Sequence, residues 1–387
     1  MAKISKINSS MRPPQNQNPQ THSKKRKLSS ADLRISSSFK IRALVRQLRP
    51  LFIQVLQTPD FRNCRAAHEL QMRAQGIGVN YGLLGDNLPN PNQVISLLKS
   101  KNVQQIRIFD PNPEVLTAAE NSGISVILGV RNEDLQQLSA SPAFATNWVS
   151  TNVLPYFPAT KIKYISAGNE VIPGPLAQFV LGAIQNLDAA LIAANIHIPV
   201  STAISFQAIG QSFPPSTGAF SGDSIPILTP LVGFLSSKKY PLLANVYPYF
   251  AYIGDPSEIR IDYAVGNATS VIVNDGGIQY SRLFDAMVDT VYAALEKIGG
   301  SGVNVVVSET GWPSAENGNF ATIDNAQTYV NGVINHVKNS GGTPRKPQTP
   351  IEAYIFAIFN EDLKPPGTEQ HFGLFYPNQS PVYPVTF

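Results

Sequence analysis

From Gly76 onward the chain repeats one order, a short apolar run, a loop and a longer segment of helical spacing, and few folds can accommodate it. Strand-like runs fall at 76–81, 105–109, 125–129, 163–167, 198–203, 242–247, 303–308 and 353–359. The segments between them read as helices, among them 92–101 and 283–297, where Leu283, Met287, Val291 and Leu295 recur every four residues. Parallel strands need such crossovers, and eight units in this length close into a (β/α)8 barrel better than they spread into an open sheet. The expected fold class is therefore α/β, a TIM barrel.

Two of these runs end on a carboxylate. The run Val303-Asn304-Val305-Val306-Val307-Ser308 meets Glu309 and then Thr310-Gly311-Trp312-Pro313, while Ile162 to Gly168 meets Asn169-Glu170-Val171. In a parallel barrel the C-terminal strand ends form the mouth where such proteins place their chemistry. A single Glu after a strand is ordinarily a solvated loop residue. Two of them, with an amide beside one and an indole near the other, are the residue types that glycosidic bond cleavage uses.

Charge is unevenly spread. Residues 1–75 hold 15 Lys and Arg against 3 acids, and the remaining 312 residues hold 15 basic and 23 acidic side chains, so a tail of about +12 precedes a body of about −8. The basic overall balance belongs to the tail, and a nucleic-acid partner for the body is not expected. The expected organisation is a basic, largely disordered extension at 1–75, with a short amphipathic helix at 41–56, followed by a catalytic domain at 76–387. Lys24-Lys25-Arg26-Lys27 has the composition of a nuclear-import or polyanion-binding patch, which also describes a solvated tail. No secretory signal is expected, because Leu51-Phe52-Ile53-Gln54-Val55-Leu56 is short, interrupted and far from Met1, and no run is long enough to span a membrane. The single Cys64 permits no intrachain disulfide, and the five His have no paired ligand spacing, so neither metal nor cofactor is expected.

Other strand ends are loaded with polar and aromatic residues: Asn80-Tyr81, then Arg107 with Asp110, then Asn245 to Phe250, and Asn360 to Lys364. Tyr81, Tyr247, Phe250 and Trp312 are the expected stacking surfaces for sugar rings, with Phe320 as a further candidate, and Asn245 is expected to bind substrate.

The runs Ile77-Gly78-Val79-Asn80-Tyr81-Gly82, Arg107-Ile108-Phe109-Asp110-Pro111-Asn112, Ala167-Gly168-Asn169-Glu170-Val171, Asn245-Val246-Tyr247-Pro248-Tyr249-Phe250 and Ser308-Glu309-Thr310-Gly311-Trp312-Pro313-Ser314 span the domain. With the closing segment from Phe359 to Phe375, residues 76–387 resemble a plant-type endo-1,3-β-glucanase of glycoside hydrolase family 17. That resemblance implies Glu170 as acid/base and Glu309 as nucleophile, supported by Asn169 and by a charged group of Glu361, Lys364 and Glu369. It also implies retaining cleavage of β-1,3-glucan outside the cell or in the vacuole. With no large apolar surface motif to argue otherwise, a monomer is expected. In a retaining site the carboxyl groups stand about 5–5.5 Å apart, with Lys364 expected to favour the ionised Glu309 and burial to raise Glu170. A retaining glycosidase acting on another β-linked glycan and a non-catalytic glucan-binding protein are the alternatives. The sequon Asn267-Ala268-Thr269 matters only if the chain enters the secretory route.

Overall fold

A computed structural model describes residues 76–387, together with the isolated helical positions Arg49 and Ile53. The expected largely disordered extension at 1–75 with its helix at 41–56, those two positions aside, lies outside the described residues. The described region is a (β/α)8 TIM barrel. Its eight strands close as β1 (Ile77–Asn80), β2 (Gln105–Ile108), β3 (Ser125–Val130), β4 (Lys161–Asn169), β5 (Val200–Ile204), β8 (Leu242–Asn245), β11 (Val305–Thr310) and β12 (Glu352–Ile355), with β12 returning to β1. All eight neighbouring pairs are parallel. Each expected strand is present, with ends displaced by a few residues.

Ten α-helices lie among the described residues: α1 (Pro91–Ser100), α2 (Pro113–Ala119), α3 (Leu135–Ala140), α4 (Pro142–Asn152), α5 (Ala177–Ala193), α6 (Ile225–Lys238), α7 (Pro248–Gly254), α8 (Ile261–Val265), α9 (Leu283–Lys297) and α10 (Ile323–Asn339). Three begin on one local device. Asn90, Asn112 and Ser141 each accept a backbone N–H of the first turn, and each is followed by a Pro whose missing N–H costs nothing there. Two antiparallel hairpins, β6 (Ile209–Gln211) with β7 (Ala219–Phe220) and β9 (Val273–Asp275) with β10 (Ile278–Tyr280), interrupt the alternation and were not expected.

Strand periodicity sorts the barrel residues. Ile106 and Ile108, Leu242 and Ala244, and Val305 and Val307 face the helices and join the large outer core. Inside the barrel, Ile127, Ala203, Leu243, Val306 and Tyr354 form a separate apolar cluster. Gly78 makes room for the last of these, because a Cβ at that position would stand 2.3 Å from the Tyr354 ring. Toward the strand N-termini this plug rests on Lys163, whose Nζ donates to Gln105 Oε1 at 2.8 Å and to Glu352 Oε1 at 2.6 Å. On the other side of the plug the inward positions become polar, and the mouth of the barrel begins.

Helix α9 contributes to the wall of that mouth and is itself strapped from outside. Asp289 on α9 is fully buried, accepts the backbone N–H of Arg345 at 2.8 Å, and keeps Oδ1 without a partner. Glu296 one side of the same helix pairs with Arg345 and Lys346. Burial pushes the Asp289 carboxyl up to about 6. Its folded-state pKa thus exceeds the unfolded value of about 3.9, so the folded chain holds more protons between the two and stability falls as pH rises through that window. The corresponding cost at neutral pH is of the order of 3 kcal/mol. Asp289→Asn is expected to raise the unfolding temperature at neutral pH and to flatten its decline between about pH 4 and 6, as read by thermal unfolding across that range.

Candidate active site

The two strands that carry the carboxylates both break register at their C-terminal ends. On β11 the shift lies between Val307 and Glu309 against β8, and on β4 between Ser166 and Asn169 against β5. Simple alternation would send Ser308 inward and Glu309 outward. The irregularity lets both reach the mouth, which is what a bulge beside a site does. On β4 the turn is made by Gly168 at φ +90° and then Glu170 at φ +57°. A Glu in the left-handed region costs about 1 kcal/mol, and the Glu170 N–H bonded to Ala203 O at 2.8 Å helps to hold it there. Asn132 fixes the intervening peptide from both sides, accepting the Asn169 N–H at 2.9 Å and donating to Asn169 O at 3.1 Å.

Arg107 on β2 organises what these strands present. Its side chain is 1% exposed, and Nη1 donates to Glu309 Oε1 at 2.8 Å, to Asn245 Oδ1 at 3.2 Å and to Ser308 O at 3.2 Å, while Nη2 donates to Asn169 Oδ1 at 2.7 Å. The other oxygen of Glu309 accepts the Tyr247 hydroxyl at 2.7 Å. Asn245, at the end of β8, meets Glu170 directly and Glu309 through Arg107: its Nδ2 donates to Glu170 Oε1 at 2.7 Å, and its Oδ1 also accepts Ser308 Oγ at 2.7 Å. Glu170 and Glu309 line one cavity of about 620 Å³ with Asn245, Tyr247, Phe250 and Glu369.

The two carboxylates are treated differently by their surroundings. Burial pushes Glu170 above the ordinary carboxylate range and the charge of Glu309 pushes it further, against the opposing pull of the Asn245 amide and Arg107; Glu369 adds a smaller push upward. Glu309 has a guanidinium and a phenol as donors on its two oxygens. Burial and the same Glu309 hold the Tyr247 hydroxyl far above its usual value, so it is a neutral donor.

Several expected site residues stand elsewhere. Trp312 is 0% exposed, packed on Tyr249, Tyr252 and Tyr329 with Nε1 donating to Phe320 O at 2.8 Å, and it offers no face to a ligand. Tyr81 is 1% exposed and likewise buried. Both follow a strand end where the chain turns from the mouth into the packing outside it. Tyr247 does line the cavity, but its polar end is committed to Glu309 and its ring packs on Phe250, Phe356 and Phe372. Phe250 keeps an exposed face, and Phe320 packs edge-on against Tyr252. The cation in contact with Glu309 is Arg107 and not Lys364, which instead pairs with Glu361 at 3.5 Å and lies 4.0 Å above the Phe356 ring. Glu361 is buried and accepts the Leu84 N–H at 2.8 Å.

Sequence reasoning placed Arg107 on the rim without giving it a role, and it passed over Asn132, Phe356 and Phe372. The signal for Arg107 was its period: an Arg two residues after inward Gln105, in a strand otherwise Ile, points into the barrel.

A barrel mouth with one carboxyl pushed above its ordinary range beside a carboxylate held by fixed donors is the arrangement that glycoside hydrolases use. Comparison with known proteins makes the assignment specific: the profile described as glycosyl hydrolases family 17 matches residues 77–387, and the chain belongs to that family. It is 49% identical over 321 residues to a glucan endo-1,3-beta-glucosidase of Vitis vinifera, covering 81% of this chain and 92% of that protein. A basic vacuolar isoform of glucan endo-1,3-beta-glucosidase from Nicotiana plumbaginifolia is 48% identical over 321 residues, covering 81% and 87% of the two chains. Among solved structures, CJP38, a beta-1,3-glucanase and allergen of Cryptomeria japonica pollen, superimposes with a TM-score of 0.78 at 48% identity, over 81% of this chain and 99% of that one.

The geometry generates two expectations. Arg107→Lys keeps a charge, but a single ammonium cannot bridge Glu309, Asn169 and Asn245 together, so kcat for glycan hydrolysis should fall about 10²-fold with a smaller change in KM. Glu309→Gln removes a charge that raises Glu170. Its carboxyl should then titrate at lower pH than in the parent chain while staying elevated by burial, as followed by carbon-13 NMR of the labelled side chain.

Proposed function

We propose that residues 76–387 are the catalytic domain and that it hydrolyses internal β-1,3-glucosidic linkages of β-1,3-glucans, such as callose or fungal wall glucan, with net retention. The observation that carries this reading is the pair Glu170 and Glu309 in one cavity, linked through Asn245 on Glu170 and Arg107 on both Asn245 and Glu309, with Glu309 the one of the two bonded to a buried cation. Glu309 attacks the anomeric carbon while Glu170 gives its proton to the departing glycosidic oxygen. The bond to that oxygen breaks, an ester to Glu309 forms, and the negative charge of Glu309 is gone. Glu170, released from that repulsion, ionises and takes a proton from water, which attacks the same carbon and restores Glu309.

The neighbours have matching tasks. Arg107 and the Tyr247 hydroxyl hold both oxygens of Glu309 and so fix which lone pair faces the sugar. Asn169 spends its Oδ1 on Arg107 and Asn245, and among the described residues its Nδ2 has no partner, which leaves that N–H for the hydroxyl beside the reacting carbon. Phe250 offers a stacking face to a glucosyl ring, and Glu369 lines the same cavity as an acceptor for hydroxyls. Glu361 and Lys364 act through Phe356 to set the cavity wall. A single chain suffices for this chemistry because β4 and β11 belong to one barrel. The vacuolar isoform among the relatives supports a vacuolar or extracellular location, and no helix among the described residues is long and apolar enough to cross a membrane.

The test is reducing-sugar release by the full chain from linear β-1,3-glucan, beside β-1,4-glucan and β-mannan. Selective release from the β-1,3-glucan is expected, reduced at least about 10³-fold in Glu309→Gln. Glu170→Gln should be slow on glucan and partly restored on an aryl glycoside whose leaving group needs no proton. Full activity in either variant would sink the assignment.

A further inference from the structure

Beside the cavity at the carboxylates lies a second chamber of about 580 Å³. The two hairpins that interrupt the barrel order help to build it: Phe213 and Pro215 come from the loop between β6 and β7, and Val273 comes from β9. The barrel closes on its eight strands without either hairpin, so closure does not account for them. Phe206, Ala251 and Met287 line both cavities, so the chamber adjoins the site.

Its lining is mixed in a particular way. Phe213 stands 65% exposed and enters no ring pair among the described residues, so a bare aromatic face is available there. Asp255 and Glu258 line the same chamber. An open ring for the C–H face of a pyranose, with carboxylates to accept from its hydroxyls, is the chemistry that sugar binding uses.

We infer that this chamber receives the departing arm of the glucan, the sugars on the leaving side of the bond cut beside Glu170. The inference rests on the hydrolytic reading above. On that reading the oxygen protonated by Glu170 belongs to the departing sugar, and the chain continuing from it passes the segment Ser205-Phe206-Gln207, which follows β5 next to the strand of Glu170. Phe206 is the shared wall, so the next space along that path is the chamber. A long glucan fills it and a short oligosaccharide does not.

The experiment compares kcat/KM of the full chain on a long linear β-1,3-glucan and on a β-1,3-linked trisaccharide, for the parent, for Phe213→Ala, which removes the exposed ring, and for Val273→Trp, which fills the chamber. The expected result is a fall of about fivefold in the long-to-short ratio for each variant, carried by KM for the long substrate, with unchanged unfolding temperatures. An unchanged ratio in both folded variants overturns the chamber and leaves the hydrolytic reading standing. An equal loss on both substrates also overturns it, because the effect then comes through the fold. No hydrolysis of either substrate by the parent overturns the chamber and the hydrolytic reading together.

Discussion

A guanidinium taken out of water inside a barrel needs partners, and the site follows from how the two terminal nitrogens of Arg107 are met, its Nε being left without one among the described residues. At 1% exposure it is matched by a carboxylate on β11, two side-chain amides on β4 and β8, and a carbonyl of β11. Burying such a charge costs several kcal/mol unless it is paired and hydrogen-bonded, so the four donor contacts are a condition for folding the mouth at all. One side chain from β2 thereby fixes the relative positions of three other strand ends. The spacing of the strand ends at this mouth is set by an electrostatic requirement as much as by the sheet.

The layering of the interior explains how that requirement is tolerated. Period-2 alternation stacks Gln105, Lys163 and Glu352 below, an apolar layer of Ile127, Ala203, Leu243, Val306 and Tyr354 in the middle, and Arg107, Asn245 and Ser308 above. The apolar plug separates two charged networks that would otherwise share solvent and each other's counter-ions. Below it, Lys163 and Glu352 neutralise each other, so the upper network is left with Arg107 and the carboxylates alone.

Much of this was legible in the sequence, and the reasons for the rest are local. Regular alternation is what a sequence displays well, so all eight strands and the two Glu at their ends could be read from it. The bulges on β4 and β11 are departures from alternation, and nothing in Ser166 to Asn169 or Val307 to Glu309 states that two consecutive side chains will face one way. The hairpins β6–β7 and β9–β10 rest on two- and three-residue strands that carry almost no periodic signal. Trp312 and Tyr81 were misplaced because their residue type suits both a sugar platform and a core. The turn after Thr310, which a sequence does not show, puts Trp312 among Tyr249, Tyr252 and Tyr329.

The same constraint accounts for the difference between two chemically identical side chains. Glu170 and Glu309 differ in the donors that meet them. Glu309 has Arg107 on one oxygen and Tyr247 on the other, whereas Glu170 is met by the neutral amide of Asn245 alone. The charge of Glu309 adds to the cost of ionising Glu170, a carboxyl that is already desolvated. The Asn245 amide carries no charge, so it positions Glu170 without neutralising it. Arg107 enters from β2, where its second nitrogen is spent on Asn169 and does not extend to the residue after it, so the guanidinium contact goes to Glu309 and not to Glu170.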